Sequence, residues 1–145
     1  LKRLFEAQPQ TPEQAKAKDF WFFSYACNGM NVKDIALLKH KNIQGDRIVY
    51  YRAKTIRTSK ANLKPIIVYL NDFTKQVIEK YGCQNPSPES LVFDIVKENE
   101  SLPEQYNKIK NFTRFINQNL KKLAEQNEIT GEISTYWARH SFATN

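Results

Sequence analysis

The chain has 145 residues, enough for one domain with its own core, and 41% of them are hydrophobic. Its formal charge of +7 comes from 22 Lys and Arg against 15 Asp and Glu, a balance that suits either a polyanionic partner or an inert basic surface. No apolar run approaches bilayer length, the start LKRLFEAQPQ has no signal-peptide core, and Cys27 and Cys83 match neither a metal-ligand spacing nor a disulfide scaffold, so a soluble protein of a reducing cytoplasm is expected.

In chain order, TPEQAKAKDFWFFSYA places Thr11, Pro12 and Gln14 in capping-box order ahead of an apolar stretch from Phe20 to Ala26, which predicts a buried helix. CNGMNVKDIALLKHKNI turns at Gly29 and restarts with Asn31 as N-cap and Asp34 three residues on, giving a short second helix through about Leu38. DRIVYYRA and KPIIVYL are β-branched and aromatic runs, joined by the basic KTIRTSKANL as a hairpin. NDFTKQVIEKYG is a helix capped by Asn71 or Asp72 and ended by Gly82. The turn-rich CQNPSPES and the short apolar LVFDIV follow. Next comes the longest helix, opened by Ser101 and Glu104, with Ile109, Phe112, Ile116, Leu120 and Leu123 at helical spacing. A last helix begins at Ser134 or Thr135 and runs at least to Ala143. The expected fold is mainly α with a small antiparallel β-sheet, an α+β domain.

The basic residues are the candidates for chemistry. Lys54, Arg57 and Lys60 crowd the hairpin tip, where like charges repel unless solvent or an anion lies between them. A solvated loop and an anion contact both fit. Arg139 sits among Tyr136, Trp137, Ala138, Phe142 and Ala143, a setting that predicts a largely buried helix. A buried guanidinium needs a carboxylate or a phosphate. An internal ion pair, for example with Asp34, is one reading and a phosphate contact is the other. His140 points to another face of that helix and reads as a packed, hydrogen-bonded histidine.

The run ARHSFAT, preceded by STYW, resembles the conserved box of tyrosine recombinases, the phage-integrase family, in which a His-x-x-Arg-His-Ser/Thr-Phe-Ala-like pattern carries the second catalytic arginine. Three further segments are similar to family boxes in the same order: YACNGMNVKDIALLKHKNI to the first box, YYRAKT to the hairpin with the catalytic lysine, and LVFDIV to the apolar segment before the long helix. The wording is closest to integrases of conjugative and other mobile elements. The resemblance implies a tyrosine recombinase catalytic-domain fold, with residues 1–145 as part of that domain and neither the N-terminal DNA-binding domain nor the nucleophile segment within it. Arg139 would then be the second catalytic arginine, Lys54 the hairpin lysine and Asp34 the acid that braces the arginines.

Two positions depart from the pattern. Asn31 stands where the resemblance expects the first arginine, and Tyr136 where it expects a histidine, so both are supporting candidates alongside His140. Arg52 and Arg57 are the cations that would compensate, and with Lys60 they are the candidate DNA contacts. The implied reaction is strand cleavage and rejoining through a 3′-phosphotyrosyl bond, with no metal and no cofactor. The nucleophilic tyrosine is expected beyond Asn145, so residues 1–145 alone would not cleave. The implied partner is double-stranded DNA, with a tetramer of the full-length protein on DNA, a monomer for this stretch, no membrane, and a bacterial cytoplasmic location at the nucleoid. A second reading, prompted by Asn31 and Tyr136, is a degenerate relative kept as a DNA-binding or regulatory module. A third is an unrelated helical interaction domain.

Overall fold

A computed structural model describes residues 2–52, 64–83, 87–129, 134–136 and 138. It combines α-helices with one small three-stranded antiparallel sheet. The chain divides into two compact units, one formed by residues 1–31 and 110–145 and the other by residues 32–109.

The first unit opens with α1 (Lys2–Glu6) and α2 (Pro12–Ala26). Thr11 caps α2 as its sequence suggests: the Gln14 N–H donates to Thr11 Oγ1 at 3.1 Å. The return arm differs from a simple capping box, because Gln14 Oε1 accepts from the Gln10 N–H at 3.0 Å. Gln14 is buried, so its amide oxygen meets the backbone donor of the exposed Gln10 from the inner side. Phe20, Trp21, Phe22 and Phe23 are all buried, together with Leu4 and Ala17. Phe20 meets Phe112 edge-on at 5.1 Å, and Phe5 meets Phe22 edge-on at 5.2 Å, a geometry in which ring edge faces ring cloud.

Helix α2 ends in a turn with two consecutive left-handed residues, Asn28 at φ 61° and Gly29 at φ 74°. Asparagine and glycine are the residues that enter this region most cheaply. The turn is closed by Ser24, whose carbonyl accepts from the N–H groups of Gly29 and Met30 at 2.9 and 3.2 Å. Its hydroxyl donates to the Met30 carbonyl at 2.6 Å.

The second unit starts with α3 (Val32–Ala36), which begins directly after Asn31 and ends two residues short of the expected Leu38. The shortening has a local cause: the Leu38 N–H donates to Ile35 at 3.3 Å, a tightened closing bond, and the chain then enters a 3-10 turn at His40–Asn42. Strands β1 (Ile43–Gln44), β2 (Arg47–Tyr50) and β3 (Ile66–Tyr69) follow, paired in the order β1-β2-β3. The β2–β3 register pairs Ile48 with Val68 and Tyr50 with Ile66. Ile48, Tyr50 and Val68 are buried on one face, while Arg47, Ile67 and Tyr69 alternate to an exposed face.

Helix α4 (Asp72–Tyr81) has a full capping box, with Asn71 and Thr74 exchanging side-chain and backbone bonds at 2.8 Å each. Gly82 ends it where expected. Its backbone is extended, at φ −77° and ψ 161°, and a side chain there would collide with the Ile78 carbonyl oxygen. The apolar segment 91–96 then runs between the ends of α3 and α4. The Val92 N–H donates to Leu38 at 2.8 Å, and the Val92 carbonyl accepts from Cys83 at 2.9 Å. Leu91, Val92, Phe93 and Val96 are buried, and they account for the apolar run in the sequence.

Helix α5 (Leu102–Gln126) is the longest, and the Glu104 N–H donates to Ser101 Oγ at 3.3 Å at its start. Of the expected apolar series, Ile116, Leu120 and Leu123 are buried, whereas Ile109 and Phe112 are half-buried. At its end Glu128 takes φ 56°, and the Arg3 guanidinium donates to the Glu128 carbonyl at 3.0 Å, placing a cation where the helix carbonyls point. Thr135, Tyr136 and Ala138 are helical, in agreement with a last helix beginning at Ser134 or Thr135.

Candidate functional site

Five of the sequence candidates, Lys54, Arg57, Lys60, Arg139 and His140, lie outside the described residues. The other four are placed. Asn31 is half-buried in the first unit, at the residue before α3. Tyr136 is also in the first unit and is 71% exposed, so it belongs to the open side of its helix rather than to the core. Asp34 and Arg52 belong to the second unit.

Asp34 is 6% exposed in the first turn of α3, next to the buried Ile35 and Ala36. Removing a carboxylate from water is costly without hydrogen-bonding or charged partners. Its placement follows from the helix phase: Lys33 faces out, and the next three residues, Asp34 to Ala36, face in. Arg52 is half-buried just past β2, two residues beyond Tyr50, which pairs with Ile66 of β3.

The residues that sequence reasoning passed over lie on α5. Successive residues turn about 100° around a helix, which gathers Lys110, Asn111, Arg114, Gln118, Lys121 and Lys122 into one arc of about 120°. All six are exposed, and no acidic residue falls between Glu104 and Glu125. Arg114 and Gln118 occupy the middle of the arc, with Lys110 and Lys121 on one flank and Lys122 on the other. Ile116 and Leu123 point the opposite way and are buried, so the arc is the solvent face of an otherwise anchored helix. Such a face offers cations to a row of anionic groups and, at its centre, a guanidinium and an amide able to make paired hydrogen bonds. The sequence carries this signal as a helical wheel, on the side opposite the apolar repeat of the same helix.

The start of the last helix is held at two backbone atoms. Trp21 Nε1 donates to the Ser134 carbonyl at 2.8 Å, and the Thr135 N–H donates to Asn117 Oδ1 at 2.9 Å. Trp21 is buried, and Ala138, one turn on, is wholly buried. The residue after Ala138 is Arg139.

Burial pushes the Cys27 thiol up to about 12, which leaves it protonated and unreactive at neutral pH. Among the described residues no group of three or more His, Cys, Asp or Glu is placed to hold a metal ion, and no helix is long and apolar enough to cross a membrane. No protein-family model, curated protein or solved structure matches the chain.

Proposed function

We propose that residues 1–145 are part of the catalytic domain of a tyrosine-type site-specific recombinase, an integrase of a mobile element, acting on double-stranded DNA. The observation that supports a nucleic-acid partner is the exposed face of α5, where four cations and two amides line an arc that Glu104 and Glu125 bound at its two ends. Strand exchange is the narrower reading because the boxes around Asp34, Lys54, LVFDIV and Arg139 follow one another in the order the family resemblance requires.

In this reading a tyrosine oxygen attacks the scissile phosphorus, the bond from phosphorus to the 5′ oxygen breaks, and a 3′-phosphotyrosyl ester and a 5′-hydroxyl result. The reading requires that tyrosine to lie outside residues 1–145, since none of the seven tyrosines here stands in the nucleophile's box. Arg139 stabilises charge on the non-bridging oxygens, a role suited to its planar fork, and Lys54 gives a proton to the leaving 5′ oxygen. Asp34 braces the arginine. A brace must be fixed to be useful, and the burial of Asp34 on α3 is consistent with that task. The ester bond to tyrosine retains the energy of the phosphodiester, so rejoining needs no nucleotide.

The alternative is a DNA-binding module that has lost strand cleavage. It draws on Asn31 and Tyr136, neither of which supplies the fixed charge of the residues expected at their positions.

The two readings separate on a nicked suicide duplex, in which the strand past the cleavage point is too short to stay bound. The full-length protein is expected to accumulate a covalent protein–DNA adduct that survives denaturation and carries the DNA on a tyrosine. Salt-sensitive DNA binding with no adduct would select the module. Absence of both would remove DNA as the partner.

A further inference from the structure

Resting on the DNA partner proposed above, though not on strand cleavage, we infer that the outer face of the three-stranded sheet is a stacking platform for single-stranded DNA. The β2–β3 register pairs Arg47 with Tyr69 and Val49 with Ile67, and the β1–β2 register sets Gln44 beside Arg47. These side chains lie on the side opposite the buried Ile48, Tyr50 and Val68, and the alternation carries on to Tyr51, the residue after β2. Tyr69 is 74% exposed, and Ile67 and Tyr51 are exposed with it. Large apolar side chains that meet solvent thus share one side of a small sheet, which marks a contact surface rather than scattered exposure.

The charge on this face selects its occupant. Gln44, Arg47, Val49, Tyr51, Ile67 and Tyr69 include no acid, and among the described residues no carboxylate pairs with Arg47. Asp46, next to it in the chain, is held by Lys75 at 2.8 Å. A guanidinium beside exposed rings suits a phosphate backbone whose bases lie on those rings. Duplex DNA keeps its base faces stacked inside, so an unpaired strand is the form that offers them to a flat sheet. A second copy of this chain fits poorly by size. With four-residue strands and three strands in the sheet, the face spans about 14 by 10 Å. That is far below the ~800 Å² that each partner buries in a stable dimer. About two or three stacked bases cover a face of this length.

The experiment uses the full-length protein, a short fluorescein-labelled oligothymidine and, in parallel, a labelled duplex, both read by fluorescence anisotropy. Tyr69→Thr keeps a strand-forming residue and removes the ring. It is expected to weaken oligothymidine binding by about 5- to 100-fold, the usual loss of one stacking ring, and duplex binding by less than about twofold. Tyr69→Phe keeps the ring and should bind as wild type does. Tyr51→Thr should repeat the split between the two DNAs, and it carries the test where thermal melting shows Tyr69→Thr to be unfolded. Arg47→Gln should lower the slope of log K against log salt on oligothymidine by about 0.7. Wild-type oligothymidine affinity in the folded threonine variants, or equal losses on oligothymidine and duplex, overturns the platform while the duplex partner stands. A wild-type protein that binds duplex but not oligothymidine does the same. A wild-type protein that binds neither overturns the proposed DNA partner, and the platform with it.

Discussion

Arg139→Ala in the full-length protein is expected to slow covalent adduct formation by about 10²- to 10³-fold, the usual loss when one preorganised donor to a developing oxyanion is removed. Affinity for duplex DNA should fall by less than about tenfold, since only one of several phosphate contacts disappears. The split follows from where the charge is needed. In the ground state the phosphodiester spreads one negative charge over two oxygens, and in the transition state the equatorial oxygens carry more, so a fixed guanidinium gains most as the barrier is crossed. Arg139→Lys keeps the charge but loses the planar pair of donors, and its rate should stay well below wild type. If Arg139 instead serves only as an internal ion pair, both variants will lower the melting temperature and leave any adduct rate among surviving molecules near normal.

The second large effect concerns the solvent face of α5. Changing Lys110, Arg114, Lys121 and Lys122 together to Gln should lower duplex affinity by about 10³-fold near physiological salt and reduce the slope of log K against log salt by about 3 to 4, because each neutralised phosphate releases close to one counterion. The melting temperature should move little, as all four side chains are exposed. The single variants should not be equivalent. Lys110, Lys121 and Lys122, on the flanks, should each reduce the salt slope by about 1 with little dependence on DNA sequence. Arg114, at the centre, should also change discrimination between sequences if its fork reaches base edges. A quadruple variant that binds DNA with wild-type affinity and slope would show the arc to be a solvated surface, and the case for a nucleic-acid partner would fall back on net charge alone.

The legible parts of the fold are those set by near neighbours. Thr11, Asn71 and Ser101 each stand three residues before the backbone N–H they accept, so their helix starts can be read directly. The hairpin is visible in its β-branched runs, whereas the two-residue strand β1 has no such run. Its clue was Gly45-Asp46, a glycine-led two-residue turn with Gly45 at φ 64°, placed between Gln44 and Arg47, which pair across it. Gly82 marks a legible boundary, while its extended backbone and the close approach of the Ile78 carbonyl four residues earlier follow from how the chain leaves the helix, which residue type alone does not specify.

The site was less legible for the same physical reason. Asp34 could be singled out by its spacing, but its burial depends on which side of a five-residue helix faces inward. The bonds from Trp21 and Asn117 to the last helix connect residues far apart in sequence and end on backbone atoms, which carry no side-chain signature. An asparagine in a long polar helix and a tryptophan in an aromatic run have many uses, and only three-dimensional contact selects these.

The most direct test of a shared phosphate handled by Arg139 and Lys54 is adduct formation on a duplex whose bridging 5′ oxygen at the scissile position is replaced by sulfur. A thiolate leaves without being protonated, so the substitution removes the need for an acid and leaves the non-bridging oxygens unchanged. Lys54→Ala should be slow on the oxygen substrate and close to wild type on the sulfur one, while Arg139→Ala stays slow on both. Equal impairment of Lys54→Ala on the two substrates would contradict the proton-donor role, and recovery of Arg139→Ala on sulfur would contradict the division of labour between the two cations.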